Sequence, residues 1–217
     1  GSKPNGETMK PAVVPAISAG TQEELDQLLG KVINSVDRIM LDIMDGVFVE
    51  SHSLDFEFNL PLGPEYEAHL MVDNPLEYME KLNEGISRVI IHVDAQSDIK
   101  IISQQVRKTG REFYAALNPE VDVSVLKDML PHLDGILIMT VNPGRYGARF
   151  IPEALEKVKL ICSWDGEIPI EVDGGMNYDT ARLAICAGAT VIASGSYIMK
   201  SDDIEKSIKQ LRDITTP

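Results

Sequence analysis

The chain has 217 residues, with 34 Asp and Glu against 20 Lys and Arg, so its formal net charge is −14. That balance disfavours a polyanionic partner, and neither nucleic acid nor a membrane surface is expected. A composition of 44 % apolar and 25 % charged residues is that of a globular protein and excludes disorder, collagen and coiled coil.

Cys162 and Cys186 are too few for a disulfide framework or a thiolate metal site, and their apolar, helix-like surroundings predict buried free thiols. No apolar run approaches the ~18 residues of a membrane span and no secretory leader opens the chain, which predicts a cytoplasmic protein. Residues 1–10 read as a tag remnant and disordered tail, leaving 11–217 as one folded domain.

From Pro11 onward, short β-rich apolar runs alternate with longer amphipathic stretches, the pattern of βα units around a parallel sheet. Strands are predicted at 12–17, 38–43, 67–71, 88–93, 112–117, 135–140, 168–172 and 190–193. Helical spacing predicts helices at 21–33, 75–82, 98–108, 121–129, 152–161, 178–187 and 202–211. In the first of these, Thr21 and Glu24 form a capping-box pattern ahead of Leu25, Leu28, Leu29 and Val32. Eight units in one domain fit a (β/α)8 TIM barrel. A doubly wound sheet fits less well, because Ser18-Ala19-Gly20 after the first strand lacks a glycine-rich dinucleotide loop.

In such a barrel, polar residues at the C-terminal strand ends face the working side. Those ends carry Asp42, Met44 and Asp45; His69 and Met71; His92 and Asp94; Asn118; Met139 and Asn142; Asp173; and Gly195-Ser196. Asp42 and Asp173, on the second and seventh predicted strands, would face each other across the mouth. Two carboxylates so placed suit two-base chemistry, one removing a proton from carbon and the other returning one to the opposite face. Asp42 as a loop cap and Asp173-Gly174 as a plain turn are the bland alternatives. His69 alone is ambiguous, and His92 reads as a hydrogen-bonded core histidine. Met44, Met71 and Met139 suit a soft apolar floor. Gly174-Gly175 and Gly195-Ser196, at consecutive strand ends, suit backbone binding of a phosphate.

The segments Leu41-Asp42-Ile43-Met44-Asp45-Gly46, Ala68-His69-Leu70-Met71-Val72, Ala116-Leu117-Asn118-Pro119, Met139-Thr140-Val141-Asn142-Pro143-Gly144, Glu171-Val172-Asp173-Gly174-Gly175 and Gly195-Ser196 together resemble the ribulose-phosphate 3-epimerase family. The resemblance implies a (β/α)8 barrel that interconverts ribulose 5-phosphate and xylulose 5-phosphate through a cis-enediolate. It implies Asp42 and Asp173 as the acid/base pair. It also implies Asp42, His69 and Asp173 as ligands of a divalent metal (zinc, iron or manganese). By the same resemblance Ser18, Met44, Met71, Met139 and Asn142 line the substrate pocket. Gly144 and Gly147 join Gly174, Gly175, Gly195 and Ser196 around the phosphate, and the protein is a homo-oligomer.

The chain departs from the family pattern at four places. Met40 stands where the family has a metal-binding histidine, which implies a weaker or metal-free site, since a thioether is a poor partner for these metals beside carboxylates. Ala16 replaces a first-strand serine, Glu50-Ser51 replace Pro-Asn, and Arg145-Tyr146-Gly147-Ala148-Arg149 replace a loop of an aromatic, two glycines and glutamine. Arg145 or Arg149 then either contacts the phosphate or is a solvated loop residue. Beside an epimerase, two readings stay open: a non-catalytic or altered-substrate paralogue that binds a sugar phosphate, and a lyase of the same barrel class. The lyase is disfavoured because Asp42-Ile43-Met44-Asp45 contains no lysine.

Overall fold

Strands and helices alternate in the computed structural model, which describes residues 10–95, 98–144 and 148–215. The strands are β1 (Ala12–Ile17), β2 (Arg38–Asp45), β3 (His52–Ser53), β4 (Glu65–Met71), β5 (Ile86–His92), β6 (Glu112–Leu117), β7 (Gly135–Met139), β8 (Ile170–Asp173) and β9 (Val191–Ser194). The helices are α1 (Gln22–Val32), α2 (Pro75–Lys81), α3 (Ile99–Lys108), α4 (Leu155–Trp164), α5 (Tyr178–Ala187), α6 (Ser196–Met199) and α7 (Ile204–Arg212). Neighbours run β1-β9-β8-β7-β6-β5-β4-β2, and β1 pairs with β2 through Ala16↔Met40 and Ile17↔Leu41, closing a parallel (β/α)8 TIM barrel. Among the described residues no helix is long and apolar enough to cross a membrane.

Period-2 alternation sorts the strand side chains into two cores. Ile39, Leu41 and Ile43 of β2 point outward and join Leu25, Leu29 and Val32 of α1 in the layer between sheet and helices. Met40 points inward with Val14, Ala16, Ile90, Tyr114, Ala116, Leu137 and Met139. The interior is not wholly apolar. Arg88 lies flat over the Tyr114 ring at 3.9 Å and reaches Glu67 and Glu112, each at 2.8 Å, with Glu171 3.8 Å away.

Three sequence expectations are corrected. Residues 121–129 form no α-helix but the 3-10 turn Val123–Leu126, with a second, Leu130–His132, directly after it. Val121, Val123 and Val125 are β-branched and Pro131 follows, so i→i+3 bonds such as Met129 N–H to Leu126 O replace a full helix. The strand at 38–43 runs on to Asp45, because β3 turns back antiparallel to pair Met44 with Ser53 and Asp45 with His52. Cys162 is half-buried and Cys186 exposed, since the buried stripe of α5 is Ala181, Ala184, Ile185 and Ala187. Lys10 pairs its Nζ with Asp213 Oδ1 at 3.0 Å. Residues 1–9 lie outside the described residues.

Candidate functional site

Strand register brings the polar strand ends together. On adjacent strands Asp42 stands beside His69, and two residues further along the same faces Met44 stands beside Met71. On the other side of the barrel Met139 stands beside Asp173. His69 Nδ1 lies 3.1 Å from Asp42 Oδ1 and 3.7 Å from Asp173 Oδ2. One potential ligand atom from each residue falls within 4.8 Å of the others. His69 is completely buried, whereas each aspartate side chain keeps 14 % of its surface open to solvent, so the carboxylates are the reachable part of the group.

Electrostatics set the protonation of this group. Burial works against charge on His69, but the hydrogen bond and charge of Asp42, followed by the charges of Asp173 and Glu67, outweigh it and raise its pKa. Burial first, and the charge of Asp42 second, push Asp173 up to about 7 against the opposing pull of His69. One layer deeper, burial and then the neighbouring Glu67 carboxylate hold Glu171 well above the usual carboxylate range. Glu171 and Glu67 precede Asp173 and His69 by two residues on the same strand faces.

The remaining predicted residues that the structure describes occupy strand ends and the loops that follow them. Met71 and Met139 are buried and Met44 is half-buried. Ser18 is exposed, and its Oγ donates to Asp42 Oδ2 at 3.4 Å. Asn142 is exposed beyond the end of β7, where it lines an open groove with Ala148, Arg149, Phe150 and Ile151. Ser194 Oγ donates to Met176 O at 2.8 Å, tying the strand end before Gly195-Ser196 to the loop after Gly174-Gly175. Gly174 has φ +114°, and a Cβ there would sit 2.5 Å from Val141 Cγ2, so the backbone at this turn leaves no room for a side chain. Arg149 is exposed, while Arg145 and Gly147 lie outside the described residues. Met40 is fully buried among apolar groups one layer below Asp42.

Several participants escaped the sequence reading. Ser51 Oγ donates to Gly144 O at 2.6 Å, joining the loop after β2 to the loop after β7 at the barrel mouth. Lys157 Nζ donates to the carbonyls of Asn118, Pro119 and Val121 at 2.8, 2.8 and 2.5 Å, pinning the loop after β6. Their partners are 36 or more residues away in sequence, so no local pattern reveals them. Glu67 and Glu171, by contrast, were findable: each sits at an inward-facing position two residues before a candidate ligand.

The model of the Ribulose-phosphate 3 epimerase family matches residues 11–199. Curated proteins named ribulose-phosphate 3-epimerase are similar along most of the chain. The Mycobacterium bovis protein is 32 % identical over 220 residues, covering 95 % of this chain and 94 % of its own. The Aquifex aeolicus protein is 28 % identical over 216 residues, covering 93 % and 96 %. Among solved structures, 3-hexulose-6-phosphate synthase from Salmonella typhimurium superposes with a TM-score of 0.66 at 16 % identity, covering 95 % of this chain and 98 % of that one. For 3-keto-L-gulonate-6-phosphate decarboxylase from Vibrio cholerae the values are 0.68, 10 %, 94 % and 97 %. At those identities the structural likeness speaks for the barrel alone.

Proposed function

The chain belongs to the ribulose-phosphate 3-epimerase family, and on that premise we propose that it is an isomerase that interconverts ribulose 5-phosphate and xylulose 5-phosphate. The observation that carries the reading is the convergence of Asp42 and Asp173, from strands three places apart around the barrel, on the same nitrogen of His69. A flat cis-enediolate lying over this group offers one face to each carboxylate. Asp42 takes the proton from the carbon next to the carbonyl, and Asp173, whose pKa burial and the charge of Asp42 hold at about 7 in the metal-free protein, delivers one to the other face. In the reverse direction the roles exchange. Met44, Met71 and Met139 form the apolar floor that keeps water from reprotonating the intermediate. Amides of the Gly174-Gly175 and Gly195-Ser196 turns, with Gly144, receive the phosphate.

The donor set suits a divalent cation. An oxygen, an imidazole nitrogen and a second oxygen within 4.8 Å make a three-residue site with open positions, as catalytic metal sites have. Asp42, His69 and Asp173 would hold it, and its charge favours the enediolate over the neutral ketose. Met40 supplies no hard donor, so the set is richer in oxygen than in nitrogen. Such a set is open to manganese(II), iron(II) or zinc. Met40 is also the observation behind a second reading, a paralogue that binds a sugar phosphate without turnover.

Elemental analysis of the untreated protein, paired with an epimerase assay before and after chelation, separates the two. The epimerase reading expects about one metal per chain and turnover lost on chelation. Sugar-phosphate binding with no turnover in any metal would overturn it.

A further inference from the structure

His92 is fully buried at the end of β5, next to His69 on β4, and the proton-transfer scheme does not use it. Its Nε2 is 2.9 Å from His69 Nε2. The two ring planes lie within 19° with centroids 5.1 Å apart, so the rings meet edge to edge and share one in-plane hydrogen bond. Phe48 packs against His92 with centroids 5.0 Å apart and helps fix the ring. On the far side, His92 Nδ1 has no hydrogen-bond partner among the described residues and faces Asp94 Oδ1 at 3.8 Å. Asp94 is itself held by Asn118 Nδ2, which donates to its Oδ2 at 2.9 Å.

A single proton can occupy the line between the two Nε2 atoms, so its owner decides what His69 offers on its other side. A carboxylate beside Nδ1 favours the His92 tautomer with its proton on Nδ1 and a lone pair on Nε2. His69 then donates from Nε2, and its Nδ1, the atom hydrogen-bonded to Asp42, is the one that would face a metal between Asp42 and Asp173 once its proton is given up.

We propose that His92, oriented by Asp94 and Asn118, is a positioning residue that fixes His69 in the tautomer able to ligate a divalent metal. Outer partners of this kind ordinarily change metal affinity by about 10–100-fold when removed. The usual outer partner of a ligating histidine is a carboxylate or a carbonyl, and a second imidazole acts here in its place. The proposal rests on the metal reading above.

The test titrates the metal-free 217-residue chain with Mn2+ by calorimetry, for wild type, His92→Leu, His92→Gln and Asp94→Asn. Long-range 15N–1H spectra report the tautomers of His69 and His92 in the wild type. The expected result is Mn2+ binding weakened about 10–100-fold in His92→Leu. His92→Gln, whose amide oxygen can accept in place of Nε2, should restore most of the affinity. Asp94→Asn should be intermediate, and the wild-type spectra should show His92 protonated on Nδ1. Equal affinity in wild type and His92→Leu, or a His92 protonated on Nε2, overturns the proposal while leaving the metal reading standing. A wild-type chain that takes up no Mn2+ overturns both. Because a misfolded variant would also lose binding, the contrast between Leu and Gln at one buried position carries the decision.

Discussion

Asp173 Oδ2 lies 3.7 Å from His69 Nδ1, the atom that Asp42 Oδ1 approaches to 3.1 Å from the other side. The two carboxylates therefore share one partner, and the second of them is held up to about 7 by burial and by the charge of the first. That arrangement suits the acid/base chemistry proposed above, and it makes stability depend on pH.

The sign of that dependence is opposite to the usual carboxylate case. The folded state keeps the proton on Asp173 up to about pH 7, whereas the unfolded chain releases it near the ordinary value of 3.8. Between those two values the folded state binds more protons, so this residue's contribution to stability falls as pH rises and levels off above 7. In the metal-free protein, Asp173→Asn should gain on the wild type across that window by a few kcal/mol. Urea unfolding at intervals between pH 4.5 and 8 checks it, and a constant difference between the two proteins would contradict the shift.

Arg88 holds the deeper polar layer together. Its side chain is 9 % exposed, and it serves the fully buried Glu67 at 2.8 Å while lying 3.8 Å from Glu171. Arg88→Met leaves the fully buried Glu67 with only the more distant Arg38, 3.9 Å away, and should destabilise the fold by about 3–5 kcal/mol. Arg88→Lys keeps the charge but loses the paired contact with Glu112 and the flat packing on Tyr114, so an intermediate loss in urea midpoint is expected.

The contact between Ser51 and Gly144 predicts a kinetic effect larger than its thermodynamic one. Removing one partly buried hydrogen bond with Ser51→Ala should cost about 1 kcal/mol of stability. Because the bond joins two loops at the barrel mouth, KM for the sugar phosphate should rise while kcat changes little. Steady-state kinetics alongside thermal unfolding separates the two effects.

At Gly174 the backbone itself is the constraint. Its φ is +114°, and an added Cβ would come within 2.9 Å of Val141 N, so Gly174→Ala should destabilise by more than about 1 kcal/mol and weaken inhibition by inorganic phosphate. Retained stability and retained phosphate inhibition would count against the role assigned to this turn.

Much of the barrel was legible because alternation and turn chemistry are local. The strands at Ala12–Ile17 and Glu112–Leu117 coincide with the predicted limits residue for residue, both being apolar runs ended by turn residues. Local signals failed where partners are distant. Nothing near His52-Ser53 announces a strand, because two residues pair only when β2 has already run past the barrel rim. The helical spacing at 121–129 was real, but β-branched valines and Pro131 made 3-10 turns the better use of it. At the site, Asp42 and Asp173 stood out as polar groups ending apolar strands, whereas His69 was ambiguous by itself and entered the set through the family resemblance. The contact between His69 and His92 did not, because register between two strands, not spacing along one, creates it.

The central claim is that Asp42 and Asp173 move a proton at the carbon beside the carbonyl. The most direct measurement is incorporation of solvent deuterium into that position of ribulose 5-phosphate, followed by NMR in D2O, for the wild type and for Asp173→Asn. Incorporation by the wild type, accompanied by conversion to xylulose 5-phosphate and slowed by at least about 100-fold in Asp173→Asn, is the predicted result. A wild-type protein that binds the sugar phosphate but exchanges no deuterium, or an Asn variant as fast as the wild type, would contradict it.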